Sequence, residues 1–193
     1  MVGAMAEIEK RINTDDLVLR ARTDADALGR LYELYYERIF RFCVYRLFSK
    51  EAAEDVTSTV FLTVAKKIAT FTGQTEVDFR NWLYAIAANQ ANAYIRKTSH
   101  RKRLLKQAAA SIIASGTNNP DDLTEPDWPR LYAAILKLRP EHQTIVTLRF
   151  FENLDFEEIA KVINARAATV RVTLHRILKK LKNHLQATVD GGL

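Results

Sequence analysis

The stretch from Asp155 to Leu185 constrains the fold most, because it carries signals for two helices and a sharp break between them. Asp155 and Glu158 have the spacing of a capping box, in which each side chain satisfies a free backbone N–H of the other residue. Asn164 follows the short first helix and tolerates the left-handed conformation of a helix stop. The second helix is predicted to begin near Ala167. A short helix, a tight turn and a basic second helix form the layout of a helix-turn-helix.

The second of these helices has one apolar face and one basic face. Apolar residues recur at helical spacing on one side: Val170, Leu174, Ile177, Leu178, Leu181 and Leu185. The opposite side carries Ala168, Thr169, Val172, His175, Arg176 and Lys179. Val172 is either an ordinary surface valine or part of a DNA-reading surface, where apolar groups touch thymine methyls and arginines reach guanine. The motif around it favours contact with the DNA major groove.

Charge points to an anionic partner. The chain of 193 residues has a net charge of +6 and a pI of about 9.5, which favours a polyanion. Two basic clusters stand apart: Arg96, Lys97, Arg101, Lys102, Arg103 and Lys106, then Arg166, Arg171, Arg176, Lys179, Lys180 and Lys182. Solvated helix ends would also account for them, since basic residues favour helix C-termini. Two separated patches are typical of a long polyanion that is touched twice.

Several classes of protein are disfavoured. Cys43 is the single cysteine, so no disulfide framework can form and a reducing, cytoplasmic location is expected. No apolar run reaches the length of a membrane span, and no secretory signal pattern is present. No Ser/His/Asp arrangement, metal-ligand spacing or phosphate loop is found. We therefore expect no catalytic residues, no metal, no cofactor and no membrane insertion.

The pattern predicts an all-α chain of two small helical domains, since six glycines and four prolines are its only strong punctuation. The expected segments are an N-terminal extension with a short helix (1–23), a four-helix domain (24–106), a polar linker (107–127) and a helix-turn-helix domain (128–193). Within the first two, helices are expected over Thr14–Ala21, Asp24–Leu47, Lys50–Ile68 and Asp78–Lys97. Phe71–Val77 is expected to be a loop.

Four segments together resemble the extracytoplasmic-function group of sigma-70 family sigma factors, the subunits that direct bacterial RNA polymerase to promoters. They are ALGRLYELYYERIFRF from Ala27, AEDVTSTVFLTVAKKI from Ala53, FRNWLYAIAANQANAYIRK from Phe79, and LRPEHQTIVTLRFFENLDFEEIAKVI followed by TVRVTLHRILKKL. They occur in the family's order and spacing and cover most of the chain. The resemblance implies a sigma-2-like domain that grips the β′ clamp coiled coil and opens the −10 element. It also implies a sigma-4-like domain that meets the β flap and reads the −35 element.

The resemblance assigns polymerase binding to the second helix of the first domain. Its exposed side is predicted to carry Asp55, Ser58, Thr59, Leu62 and Lys66. An exposed leucine within a polar rim is a small version of an interface hot spot. The family usually has Gln-Glu where this chain has Ser58 and Thr59. Phosphorylation of Thr59, with Thr63 one turn on, would supply the missing negative charge, so a Ser/Thr kinase is a candidate regulator beside an anti-sigma factor.

The resemblance assigns the remaining sites to DNA. For the −10 element they are Gln74, Asn89, Asn92, Arg96, Lys97 and Arg101, with Gln74 in a loop where the family holds a flipped-out base. Asn81 is expected on the same exposed side as Asn89 and Asn92. On that side Asn would read adenine edges and Arg would hold phosphate. For the −35 element they are Arg171, Val172, His175, Arg176 and Lys179. Where the family usually has serine this chain has Val172, so its −35 sequence is expected to differ.

Two other functions remain open at this point. A free-standing repressor would account for the helix-turn-helix and the charge, but not for the N-terminal domain, and it would bind operators without polymerase. An adaptor that occupies polymerase without touching DNA is the third reading. A gel shift with and without core polymerase separates these readings.

The first testable prediction concerns base reading by the basic helix. Arg176→Ala is expected to lose on the order of 1–3 kcal/mol of discrimination at one −35 position, because a bidentate base contact is removed. Lys182→Ala is expected to lose less, and equally across sequences. Binding to a set of −35 variants measures both effects. Equal losses in the two variants for every promoter would contradict the predicted orientation of the helix.

Overall fold

The computed structural model describes residues 14–98 and 128–186. Within these ranges every regular element is helical, which confirms the all-α prediction. We number the helices in chain order. They are α1 (14–20), α2 (Ala25–Leu47), α3 (Lys50–Lys67), α4 (Glu76–Lys97), α5 (Trp128–Leu136), α6 (Pro140–Val146), α7 (Phe156–Ile163) and α8 (Ala167–Gln186). A 3₁₀ turn (Ile68–Thr70) follows α3, and a π-helical turn (Thr147–Phe151) continues α6.

Side-chain caps fix where the helices begin. Asp24 accepts from the backbone N–H of Asp26 and Ser49 from that of Ala52, as expected for N-caps. The N-cap of α4 is Thr75, and Asp78 completes its capping box from the third helical position. This helix therefore starts two residues before the predicted Asp78, because the acidic residue is the reciprocal partner and not the cap itself.

The helix-turn-helix forms as predicted. Asp155 and Glu158 make a complete capping box at the start of α7. Asn164 ends that helix in the left-handed region with φ 53°, and its backbone N–H donates to Ala160 and Lys161. The next helix begins at Ala167. Local sequence signals therefore decide the geometry of this motif.

The N-terminal domain (residues 14–98) packs α2, α3 and α4 around a core that includes Leu31, Phe42, Val60 and Leu83. Helix α1 adds Leu17, Val18 and Ala21 to that core. Full burial of such a side chain stabilises by roughly 1.5–3 kcal/mol, whereas an exposed ion pair contributes about 0–1 kcal/mol. Apolar burial, and not the exposed Arg20–Asp24 pair, therefore attaches α1 to the domain predicted to begin at residue 24.

The C-terminal domain (residues 128–186) packs directly onto the N-terminal domain. Arg46 of α2 is 1% exposed, and it donates to Asn92 Oδ1 at 2.7 Å, Gln143 Oε1 at 2.5 Å and the Pro140 carbonyl at 3.0 Å. Aromatic contacts flank it: Tyr45 lies 4.4 Å from Phe151 and Phe48 lies 5.3 Å from Tyr132, centroid to centroid. One guanidinium thus holds helices of both domains, in what we call the closed arrangement.

Candidate functional site

The outward face of α8 is a basic surface open to solvent. Val170, Leu174, Ile177 and Leu181 are buried on its inner side. The five residues predicted to read the −35 element are all exposed: Arg171, Val172, His175, Arg176 and Lys179. Val172 is 51% exposed although it is apolar. The structure therefore places these side chains together on one face, as the sequence predicts.

Arg171 is tied to the preceding helix. Its guanidinium donates to Glu157 Oε1 at 3.0 Å and lies 5.1 Å from the centroid of the Phe156 ring. Both partners belong to the start of α7, so the contact joins the two helices of the motif. The ion pair is exposed, with about 57% and 61% of the side chains accessible, and such pairs contribute about 0–1 kcal/mol. A phosphate or base edge would therefore displace Glu157 at little cost.

The exposed side of α3 is the predicted polymerase-binding surface. Val56, Val60, Phe61 and Val64 are buried on its inner side. The predicted surface residues are all exposed: Asp55, Ser58, Thr59, Leu62 and Lys66. Leu62 is 56% exposed, the highest value among the large apolar side chains of the described ranges. An unburied leucine surrounded by polar groups has the features of an anchor for a protein partner.

The hydroxyl groups on α3 are engaged with the helix backbone. Thr59 Oγ1 donates to the Asp55 carbonyl at 2.9 Å, and Thr63 Oγ1 donates to the Thr59 carbonyl at 2.8 Å. Ser58 Oγ likewise donates to the Glu54 carbonyl. These bonds hold the side chains on the helix surface without a partner from another element. Thr59 is exposed, while Thr63 is only partly exposed.

The loop before α4 is held residue by residue. The Phe71 ring stacks on Trp82 at 4.7 Å between centroids. The Gly73 carbonyl accepts from Arg22, and the backbone N–H groups of Gln74 and Thr75 donate to Asp78 Oδ2. The predicted base-reading residue Gln74 is exposed in this loop. The loop is therefore a fixed platform that presents one amide side chain to solvent.

The prediction for α4 needs a correction. Asn89, Arg96 and Lys97 are exposed as expected, but Asn92 is 9% exposed and Asn81 is 4% exposed. Asn92 Oδ1 accepts from Arg46 and from Thr144 Oγ1. The predicted exposed position of Asn92 is wrong, because the amide is occupied at the contact between the two domains. Arg101 lies outside the described residues.

A stripe along α4 faces the C-terminal domain. Arg80 forms an ion pair and hydrogen bond with Glu158, and Tyr84 donates to Glu152. Together with Asn92 these residues recur every four or eight positions, so they share one side of the helix. The closed arrangement thus covers the side of α4 that sequence reasoning assigned in part to DNA. Sequence reasoning missed Arg80, Tyr84 and Glu152, since a residue pair between separate helices leaves no periodic signal.

Arg46 left a signal that could have been used. Leu31, Tyr35, Ile39, Phe42 and Cys43 form the buried stripe of α2 at helical spacing, and the same spacing places residue 46 on that stripe. An arginine at a core position of an otherwise apolar face predicts a buried partner set. The sequence did not indicate which residues would supply it.

Burial raises the pKa values of Tyr84 and Glu152, the pair that joins the two domains. Desolvation raises the pKa of Glu152, while the hydrogen bond from Tyr84 and the charges of Arg41 and Arg38 oppose that shift. Desolvation and the neighbouring Glu152 raise the pKa of Tyr84 above the usual range. Tyr84 therefore stays protonated at neutral pH and donates to Glu152. The carboxylate carries a desolvation cost that a neutral acceptor would avoid.

The polar contacts between the domains are incompletely satisfied. Within the described residues, Arg80 Nε and Glu152 Oε1 are buried without a hydrogen-bond partner in the protein, as are both polar side-chain atoms of Asn81. Each such buried group costs about 1–3 kcal/mol relative to its hydrated state. These unsatisfied groups reduce the free energy that stabilises the closed arrangement. If the domains separated, water could bond to the same groups and remove part of that cost.

An open apolar groove of about 540 Å³ lies between α5 and the end of α8. Its lining consists of Arg130, Leu131, Leu178, Leu181, Lys182, Leu185 and Gln186. Leu178 is 43% exposed there. The groove lies on the C-terminal half of α8, beyond the residues assigned to DNA.

Neither a metal site nor a membrane-spanning helix is found in the described ranges. Over 14–98 and 128–186, no group of three or more His, Cys, Asp or Glu side chains is arranged to hold a metal ion. In those same ranges, each helix is too short or too polar to cross a membrane.

Comparison with known proteins identifies both halves of the chain. Residues 31–101 match the family model for sigma-70 region 2, and residues 129–181 match that for sigma-70 region 4. The chain is 35% identical over 170 residues to the ECF RNA polymerase sigma factor BldN of Streptomyces coelicolor. That match covers 86% of this chain and 63% of BldN, so the chain spans somewhat less than two thirds of that relative.

Two other similarities extend over nearly whole proteins. RNA polymerase sigma factor YlaC of Bacillus subtilis is 28% identical over 172 residues, which cover 83% of this chain and 92% of YlaC. The fold resembles that of the sigma factor RpoE in its complex with the anti-sigma factor NepR from Bartonella quintana. That match has a TM-score of 0.58 and 18% identity, over 82% of this chain and 96% of RpoE.

The second prediction uses the pH dependence of the Tyr84–Glu152 contact. Because the folded-state pKa of Glu152 is raised, protonation stabilises the folded protein, and this contribution is lost as pH rises through that pKa. Glu152→Gln keeps an acceptor for Tyr84 without the buried charge. The variant is expected to have the higher free energy of unfolding at neutral pH, with a difference that shrinks as pH falls.

Denaturant unfolding at several pH values measures this difference. Glu157→Gln is the matched control, because Glu157 is exposed and should give little pH-dependent change. A Glu152→Gln difference that stays constant between neutral and acidic pH would contradict the assigned role of the carboxylate.

Proposed function

The chain belongs to the extracytoplasmic-function group of sigma-70 family sigma factors, and from this we propose that it directs core RNA polymerase to promoters through three separate surfaces. These are the exposed side of α3, the loop before α4 with the exposed part of α4, and the outward face of α8. The observation that carries the proposal is the face of α8, where Val172 lies exposed among Arg171, His175 and Arg176 opposite a fully buried apolar stripe. This role requires no catalytic group or cofactor, and it places the protein in the cytoplasm beside polymerase.

The −35 element is read by α8. Arg176 and His175 supply donors to base edges, and Val172 supplies an apolar contact for a thymine methyl group. Arg171 exchanges its exposed partner Glu157 for a DNA phosphate. Lys179 follows one turn later and adds a phosphate contact. The valine gives this protein a −35 preference that differs from that of members with a polar residue there.

Core polymerase is bound by both domains. The β′ clamp coiled coil packs on Leu62, with Asp55, Ser58, Thr59 and Lys66 as the polar rim. The β flap enters the groove between α5 and α8, whose apolar lining suits the apolar face of a helix. Both contacts are supported by surfaces that are open in the closed arrangement. Polymerase can therefore begin to bind before the domains separate.

The −10 element requires the domains to move apart. Gln74, Asn89, Arg96 and Lys97 are already exposed, but Asn92 is occupied by Arg46 and Thr144. Separation removes the bond from Thr144 to Asn92 and uncovers the stripe that contains Arg80 and Tyr84. Polymerase and promoter thus bind a form in which the two domains no longer touch. A closed, polymerase-free form would be unable to engage both promoter elements at once.

An anti-sigma factor is the proposed regulator in the cell. RpoE, the structural neighbour described above, is in complex with one. Such a partner would act by favouring a form that does not bind polymerase. A Ser/Thr kinase that modifies α3 is the alternative regulator, supported by the exposed position of Thr59.

The third prediction tests polymerase-dependent initiation. Run-off transcription with core enzyme and this protein is expected to begin at a defined site. Leu62→Ala is expected to weaken binding of core polymerase by roughly tenfold or more, as for the loss of an interface anchor. Leu19→Ala is the matched control, since Leu19 is also an exposed leucine but lies on α1.

Two outcomes would contradict the proposal. Tight, sequence-specific operator binding by the protein alone, without stimulation of transcription by polymerase, would identify a repressor. Stable binding to polymerase without any promoter-dependent start site would identify an adaptor.

The fourth prediction tests the closed arrangement. Arg46→Met fills much of the same space but removes the donors to Gln143, Asn92 and Pro140. Gln143 Oε1 loses this donor, while Asn92 Oδ1 keeps the bond from Thr144. A buried acceptor left unsatisfied costs about 1–3 kcal/mol, which disfavours the closed form. Small-angle scattering of the variant is expected to show a larger radius of gyration. Arg30→Met is the control, because Arg30 is exposed on the same helix.

The fifth prediction concerns charge on α3. Phosphorylation would add about −1.5 to −2 charges to Thr59, next to Leu62 on the exposed side. Binding of core polymerase is compared for wild type, Thr59→Glu and Thr59→Ala, all unphosphorylated. A regulatory role predicts a gain of affinity in the glutamate variant alone. Equal, tight binding by all three would show that the residue needs no charge.

A further inference from the structure

Residues 14–24 make specific contacts with the loop before α4, although they precede the segment that matches region 2. Arg22 donates from its guanidinium to the Gly73 carbonyl and lies 6.0 Å from the centroid of the Phe71 ring. Asp15 accepts from the backbone N–H of Glu76. Both contacts span more than fifty residues of sequence. The N-terminal helix is therefore bonded to both ends of the short stretch that contains Gln74.

The remaining contacts of that stretch come from α4 and its own aromatic rings. Asp78 Oδ2 accepts from the backbone of Gln74 and Thr75, while Phe71 packs on Trp82 and Phe79. The Gly73 carbonyl is bonded by Arg22. Arg22 thus holds the residue directly before Gln74, and a change there would alter the direction in which the Gln74 side chain points.

Close packing at Gly73 supports the same conclusion. A Cβ atom at Gly73 would lie 2.3 Å from Phe71 Cζ and 2.6 Å from Asp78 Cβ. The backbone therefore runs close against the ring that Arg22 also contacts. This leaves little freedom for the loop as long as the guanidinium, the Phe71 ring and the Gly73 carbonyl stay together.

The attachment of Arg22 is itself firm. Helix α1 and the turn that follows it bury Leu17, Val18 and Ala21 in the domain core, so the guanidinium extends from a fixed backbone. Hydrogen-bonding groups that read a base must be held within about 0.5 Å of the productive geometry. A braced loop meets that requirement better than a free loop does.

We propose that Arg22 is a positioning residue for base recognition: it holds the loop so that Gln74 can read one unstacked nucleobase of the −10 element. The N-terminal helix is then part of the recognition machinery and not an appendage. This inference rests on the proposed function, since it assumes that the loop meets promoter DNA. Asp15 has the supporting role of fixing the far end of the loop at Glu76.

The first experiment examines the loop without DNA or polymerase. Arg22→Met keeps the apolar stem of the side chain and removes its donors. Hydrogen exchange at the Gln74 and Thr75 amides is expected to become roughly tenfold or more faster, because local opening becomes easier. Arg20→Met is the matched control: Arg20 lies two residues away, is exposed, and pairs with Asp16 and Asp24. Unchanged hydrogen exchange at these amides in Arg22→Met would show that Arg22 does not hold the loop, whatever the protein does in transcription.

The second experiment measures base preference. Run-off transcription uses a promoter library randomised over the −10 element with a fixed −35 element, and a second library with the reverse design. Arg22→Met is expected to lose roughly fivefold or more of the wild-type preference at one −10 position, the size expected for one base contact. Its −35 preferences should be unchanged. Arg22→Lys, which still donates to Gly73, should restore most of the preference, and Arg20→Met should match wild type.

Two results would overturn the inference here. One is an Arg22→Met variant with the wild-type −10 preference. The other is equal loss at −10 and −35 positions, which would indicate general damage to the fold. Both differ from failure of the proposed function, in which the wild-type protein itself would give no polymerase-dependent start site.

Discussion

A single buried arginine determines how the two domains of this protein meet. Arg46 is almost completely removed from solvent, and a buried cation costs several kcal/mol unless its donors are satisfied. It donates to three neutral acceptors: an amide oxygen of the N-terminal domain, an amide oxygen of the C-terminal domain and a backbone carbonyl. The arginine therefore bonds to acceptors of both domains at once, which ties its buried position to their packing.

Polar side chains form another part of the contact between the domains, beside the aromatic pairs Tyr45–Phe151 and Phe48–Tyr132. Arg80, Tyr84, Glu152 and Glu158 are polar, and some of their buried atoms lack a partner in the protein. Domain cores, in contrast, bury residues such as Leu83 and Ile159 completely. Each domain can therefore keep its own apolar core when the polar contacts are broken and hydrated.

The sequence predicted what local chemistry decides. The capping box of Asp155, the left-handed Asn164 and the faces of α3 and α8 follow from residue type and helical spacing, and the structure confirms their placement. The prediction from sequence was wrong at Asn92, because a polar residue on a helix is exposed or buried according to which element packs on it. The same limit applies to Arg22 and Gly73, which are far apart in sequence and meet only in the fold.

Under the proposed function, the stripe of α4 that faces the C-terminal domain would let the closed form influence promoter binding. Asn92 Oδ1 already accepts from Arg46 within the N-terminal domain and from Thr144 of the C-terminal domain, so a base edge proposed to bind there would compete with both. A ligand that needs the open form binds with an affinity reduced by the fraction of molecules that are open. Any partner that binds α3 or the groove of α8 more tightly in the open form relieves that penalty. Polymerase would then favour promoter recognition by uncovering α4, in addition to bringing the DNA into reach.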